Sequence, residues 1–166
     1  MSDELNWSDV RIMEFASSEM FERIYREGMT LVERAAVYLD GPGREASRHF
    51  DKDVTLAYAG ESMRMTTRLM QVAAWLLVRK AVQEGEMTAA DARAQKYKLG
   101  ARKVCTAPRM EASEHLPVSL LDLINASERA YAQIARIEEE LARETASRPI
   151  VADQLAKVQR LFGAHA

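Results

Sequence analysis

Apolar residues recur at spacings of three and four over three long stretches of the chain, and none alternates with a period of two. The pattern predicts helices and no sheet. The first long helix is predicted from Ser18 to Leu39. Ser17 or Ser18 is placed to accept from its orphan amides, and Glu19 and Glu22 sit at the positive end of its dipole. Met20, Ile24, Leu31 and Ala35 share one face, flanked by Phe21, Tyr25, Val32 and Leu39. The run "DGPG" (40–43) is expected to stop it, with Gly41 as a left-handed cap. A second long helix is predicted from Asp53 to Gly85, and a third from Pro117 to about Ala146. Between them a short helix is expected over Ala89–Lys98, with Thr88 and Asp91 forming a near-match to a capping box. Beyond Pro149, which should break the third helix, Leu155, Val158, Leu161 and Phe162 line one side of a C-terminal tail, helical at most weakly.

The expected architecture is all-α: an antiparallel three-helix bundle with short accessory helices. The expected organisation is an N-terminal arm (1–16), the bundle (17–148) and the tail (149–166).

The second helix carries more apolar surface than one core-facing stripe requires. With Met70 as the reference, Leu56, Ala59, Met63, Thr66, Ala73, Ala74 and Leu77 fall within about 60° of it at 100° per residue. A second row, Tyr58, Met65, Leu69, Val72 and Leu76, lies about 100–160° to one side. A surface helix needs an apolar arc only somewhat wider than about 100°. Either this helix is the most buried of the bundle, or one row packs on a second copy of the chain. The homodimer is the favoured expectation, with the second row as its contact. Trp75 falls on the remaining, polar side near Arg64, Arg68 and Arg79. Its ring either lies over the arginine stems or anchors a partner, since tryptophan and arginine are enriched at binding hot spots.

Length and composition narrow the class. At 166 residues the chain fits one domain with a real core, and 23 basic against 25 acidic residues argue for no general attraction to polyanions. A single cysteine, Cys105, permits no intrachain disulfide, and the acidic N-terminal residues do not resemble a signal peptide, so a cytoplasmic location is expected. The uncharged run Leu69–Val78 is half of what a membrane span needs.

Candidate chemistry is sparse. The segments "PGREASRH" and "PRMEASEH" each set a glutamate and a histidine four apart, Glu45 with His49 and Glu111 with His115. A helix of some 30 residues between them would hold the pairs about 45 Å apart, too far to share a metal ion. Cys105 lies beside Arg102 and Lys103, but no histidine is paired with it in the sequence pattern. No phosphate loop, nucleophile elbow or paired-cysteine motif is present. No enzyme and no cofactor are expected. Residues 93–109 hold Arg93, Lys96, Lys98, Arg102, Lys103 and Arg109 with no acid among them. Three readings remain open for this segment: a solvated connection balanced by "IEEELARE" of the third helix, a docking patch for an acidic protein, or a nucleic-acid contact.

The stretches "FERIYREGMTLVERAAVYLDGPGR" (21–44) and "ESMRMTTRLMQVAAWLL" (61–77) resemble the alphaproteobacterial RcdA family of regulators of CtrA degradation. The resemblance, weaker in the third helix, spans most of residues 15–146. It implies a dimeric three-helix bundle without catalytic residues that helps deliver cell-cycle regulators to the ClpXP protease. Companion adaptors are implied as further partners, and the tail as a contact with the protease machinery. On that reading the candidate docking surfaces are Trp75 with Arg64, Arg68 and Arg79, the basic residues Lys96, Lys98, Arg102 and Lys103, and the tail. A small nucleic-acid-associated regulator using segment 93–109 is the alternative.

Overall fold

The computed structural model describes residues 6–162, with side chains except those of residues 145–153, 161 and 162. Seven α-helices are found among them, and no strand: α1 Trp7–Ala16, α2 Glu19–Asp40, α3 Pro42–Ser47, α4 Lys52–Gln83, α5 Ala89–Ala92, α6 Arg102–Cys105 and α7 Val118–Phe162. The all-α expectation holds. The three long helices α2, α4 and α7 form the bundle, and α4 packs against both of the others.

Local chemistry sets most of the helix ends. Ser18 Oγ accepts from Phe21 N, Asp51 Oδ1 from Val54 N and Thr88 Oγ1 from Asp91 N, so each helix start has one orphan amide satisfied by the preceding side chain. Thr88 Oγ1 also donates to Asp91 Oδ2 at 2.6 Å, a side-chain-to-side-chain contact. The expected short helix is two pieces, α5 and a 3-10 turn over Gln95–Tyr97.

Three ends differ from expectation. Gly41 has φ −119° and is no left-handed cap; its amide bonds back to Val37 O, and Pro42 opens α3 instead of ending order. Proline suits that place because a first-turn residue needs no amide donor. Residues 7–16, expected as an arm, are helix α1, whose Ile12, Phe15 and Ala16 are buried. Asn6 caps it by accepting from Ser8 N. Finally, α7 does not stop near Ala146 but runs through Pro149 to Phe162. A proline removes one ladder bond and crowds the preceding turn, which costs about 3 kcal/mol, and a helix of this length has many other bonds to hold it.

The core has two parts. One joins Leu31, Ala35, Val54, Met65, Leu69, Leu120 and Ile124. The other joins Phe15, Phe21, Val72, Trp75, Leu76, Tyr131 and Ile134 at the α1 end of the bundle. Met20, expected on the core face of α2, is 45% exposed, and Phe21 beside it is fully buried. The two Glu-x-x-x-His echoes fold differently: the first is α3, the second a turn in which Ala112 takes φ +62°. Among the described residues no three histidine, cysteine or carboxylate groups come together. No described helix is long and apolar enough to cross a membrane.

Candidate functional site: the two faces of helix α4

Helix α4 turns one side inward and the opposite side to solvent, and both sides are apolar. The inward side carries Met65, Leu69, Val72 and Leu76, each at most 4% exposed, with Tyr58 half-buried beside the core. These residues were the expected dimer contact. The expectation fails because α2 and α7 cover them within one chain, leaving no surface for a second copy.

Trp75, Arg68 and Arg79 are corrected for the same reason. They are 1%, 1% and 5% exposed, inside the protein rather than on a docking face. The connection between α5 and α7 folds over them and supplies polar partners. Trp75 Nε1 donates to Glu138 Oε2 at 2.8 Å, and the Leu99 amide donates to the same oxygen at 3.0 Å. Arg68 Nε donates to Cys105 O at 2.9 Å and Nη1 to Ser127 Oγ at 3.1 Å, while Nη2 lies 3.6 Å from Glu128 Oε1. Arg79 stacks over the Trp75 ring at 3.9 Å and makes one long bond, 3.4 Å, to Tyr97 O. Arg64 is the most open of the four residues; it donates to Pro108 O and to Glu61 Oε1. Glu61, fully buried, also accepts from the Met110 amide at 2.7 Å. Gln71 Oε1 accepts from Gly100 N, and the Tyr131 hydroxyl donates to Gly100 O.

Buried ions survive only with partners of this kind, and here most partners are backbone groups of the connection. Glu61, Arg68, Gln71, Tyr131 and Glu138 therefore position residues 97–110, a role that the sequence pattern did not reveal. One signal was available. A tryptophan lying among arginines on one helix face contradicts the rarity of exposed tryptophan, and points to a second element covering that face.

Electrostatics follow the burial. Loss of hydration lowers Arg79 to about 10, with Glu138 opposing the shift, so it remains a cation at neutral pH. Burial also pushes the Cys105 thiol up, with Arg68 opposing, which leaves it a poor nucleophile.

The outward side of α4 holds Leu56, Met63, Met70 and Leu77 at regular seven-residue steps, 64%, 70%, 66% and 49% exposed. Ala59, Thr66 and Ala74 lie exposed between them. This is the row centred on Met70, and nothing in the described chain covers it. A separate groove of about 530 Å³ runs between α2 and α7, floored by Ile24, Leu31 and Val72 and edged by Arg26, Arg34 and Arg129.

The basic segment is largely engaged. Arg93 pairs with Asp9 on α1 at 2.9 Å, Arg109 with Glu128 at 3.1 Å, and Arg102 lies 3.9 Å from Glu139. Lys96 sits 4.8 Å from its neighbour's Tyr97 ring. Lys98 and Lys103 are exposed. In the tail, Leu155 and Val158 are 55% and 49% exposed on α7, while the side chains of Leu161 and Phe162 lie outside the described residues.

Comparison with known proteins gives this geometry a context. Residues 12–162 match a family described as a protein of unknown function, DUF1465. No curated protein matches at the same standard. Among solved structures the chain is similar to RcdA from Caulobacter crescentus CB15, with 44% identity and a TM-score of 0.64 over 78% of this chain and 96% of that one. The chain belongs to the DUF1465 family and is a member of the RcdA family.

Proposed function

We propose that this protein is a non-enzymatic adaptor that helps deliver CtrA-like regulatory proteins to the ClpXP protease. The observation that carries the reading is the similarity to RcdA along nearly that whole protein. The geometry is in keeping with it: an adaptor works by holding two partners near each other, which raises the effective concentration of one at the other. Such a protein needs separate contact surfaces, and the α4 row, the α2–α7 groove and the exposed α7 end are three.

The reading includes a homodimer, now built on Leu56, Met63, Met70 and Leu77 rather than on the buried row. A seven-residue repeat on a 32-residue helix matches itself when two copies lie side by side, so a second copy is the occupant that fits. Nucleic-acid binding through residues 93–109 is the weaker reading, because three of its six basic residues, Arg93, Arg102 and Arg109, face carboxylates.

The test is reconstituted degradation. ClpXP, its companion adaptors and a CtrA-like client are combined with and without this protein, and client turnover is followed. Faster turnover only in its presence supports delivery; turnover unchanged across a panel of clients refutes it.

A further inference from the structure

Arg79 lacks the partners that a buried cation ordinarily has. It is 5% exposed, its Nε has no hydrogen-bond partner, and its guanidinium reaches only a long 3.4 Å contact with Tyr97 O. Glu138 acts on it by charge rather than by a direct bond, and that carboxylate's Oε2 accepts from the Trp75 indole and the Leu99 amide. Arg68, on the same helix and as deeply buried, has acceptors on three of its nitrogens. A buried donor without an acceptor needs an explanation.

A cavity lies beside it. A space of about 290 Å³ opens between α1, α5 and α7, with Ile12, Ala92 and Leu141 as apolar walls, Arg79 and Glu138 lining it, and Lys98 at its edge. The neighbouring Arg93 also lines it but is held by Asp9. We propose that this cavity is a binding site for a small carboxylate on a short apolar body, with the Arg79 guanidinium as its charge partner.

The chemistry selects that class. A guanidinium pairs well with a carboxylate, whose two oxygens match its parallel donors. The apolar walls favour a hydrocarbon body over a hydrated inorganic ion. Glu138 in the lining disfavours a dianion such as phosphate more than a single negative charge. The volume is at the small end for ligand sites, which limits the body to a few carbons. A free branched-chain acid and the C-terminus of a peptide share this chemistry. The inference does not rest on the adaptor reading, and its test involves no protease.

The Trp75 indole reports on the site because the Arg79 guanidinium lies 3.9 Å from its ring. The chain has one other tryptophan, Trp7, half exposed on α1, whose indole signal serves as the internal reference. Nitrogen-15 spectra of the full chain are recorded with isovalerate, with acetyl-Ala-Val, with acetyl-Ala-Val amide and with inorganic phosphate.

The expected result is a saturable shift of the Trp75 indole and Leu99 amide signals with at least one of the two acids. Saturation falls in the millimolar range usual for ligands this small, and the amide and phosphate bind at least about tenfold more weakly. A response to isovalerate alone assigns the site to free acids, and a response to the peptide extends it to chain ends. Arg79→Met abolishes the shifts. Since that variant removes a buried group, Ala142→Leu provides a second test: Ala142 is exposed yet lines the cavity, so a larger side chain blocks entry without disturbing the core. Absence of a saturable shift overturns the proposal. So does equal binding of the amide or of phosphate, or undiminished binding by folded Ala142→Leu.

Discussion

Met70→Glu separates the dimer reading from simple exposure of an apolar row. Met70 lies in the middle of the four outward side chains and is 66% exposed, so the substitution touches no core contact within one chain. Fully burying a leucine or methionine side chain is worth about 1.5–3 kcal/mol, and at the observed exposures roughly half to two-thirds of that remains to be gained. Each of the four thus offers about 1–2 kcal/mol, and eight of them in a two-fold pair offer about 8–16 kcal/mol gross. Association itself costs about 4–15 kcal/mol, so the pair is of moderate strength and sensitive to single changes. Met70→Glu deletes two of the eight contributions, about 2–4 kcal/mol, and sets two carboxylates in the interface. The dimer constant should weaken by about 30-fold to 1,000-fold. Sedimentation velocity over a concentration series measures it, and thermal unfolding of the dilute protein serves as the control, with a change of at most about 0.5 kcal/mol. A wild-type mass of 18.7 kDa at every concentration refutes the reasoning. An unchanged dimer in the variant refutes it equally.

Other perturbations test the interior. Trp75→Phe keeps an aromatic ring but removes the donor to Glu138 and leaves a gap where the rest of the indole was, and urea denaturation should show a loss of at least about 1–3 kcal/mol; no loss would mean that the Glu138 clasp adds nothing. Gly43→Ala would bring a methyl group 2.9 Å from Tyr38 O and 2.7 Å from the Tyr38 ring, so a loss of about 1–3 kcal/mol is expected despite the better helix former, while a stabilised variant would contradict that packing. Cys105 should react with a thiol reagent only as fast as the 97–110 connection opens, because the thiol is buried and its ionisation is suppressed; immediate reaction in native buffer would show an open segment. Glu22 accepts from Gln83 and Lys80, and these contacts lower its pKa. Its stabilising contribution is therefore present above the usual carboxylate value of about 4.5 and is lost as pH falls through the lower folded value. Glu22→Gln should be less stable than wild type above that range and converge with it in acid, as followed by denaturation at a series of pH values.

The parts of the structure that were legible in the sequence are those fixed by neighbouring residues. Ser18 and Thr88 cap because their hydroxyls reach amides three residues on, and the three- and four-residue spacing locates α2, α4 and α7. The two apolar rows of α4 were also visible, but not which one meets water. That choice is made by distant residues: Glu138, Ser127 and the carbonyls of Tyr97 and Cys105 turn the arginine side inward. A helical wheel assigns arginine to solvent because it has no access to such partners. Helix α1 was missed for a related reason. Six of its ten residues are apolar, but Trp7 and Met13 face solvent while Ile12, Phe15 and Ala16 are buried, so no single clean stripe marks the helix and packing of Ile12 and Phe15 holds it.

The clasp between Trp75 and Glu138 spans 63 residues of chain, and that between Arg68 and Ser127 spans 59. During synthesis, α2 and α4 leave the ribosome long before the residues that complete their inner face. The connection that supplies Cys105 O and Tyr97 O to the two arginines emerges first, but until Ser127, Glu128 and Glu138 follow, Arg68 and Trp75 lack their partners on α7 and the helical pair remains an open half-structure. Folding of this bundle is consequently a late event, completed by α7 rather than built up hairpin by hairpin.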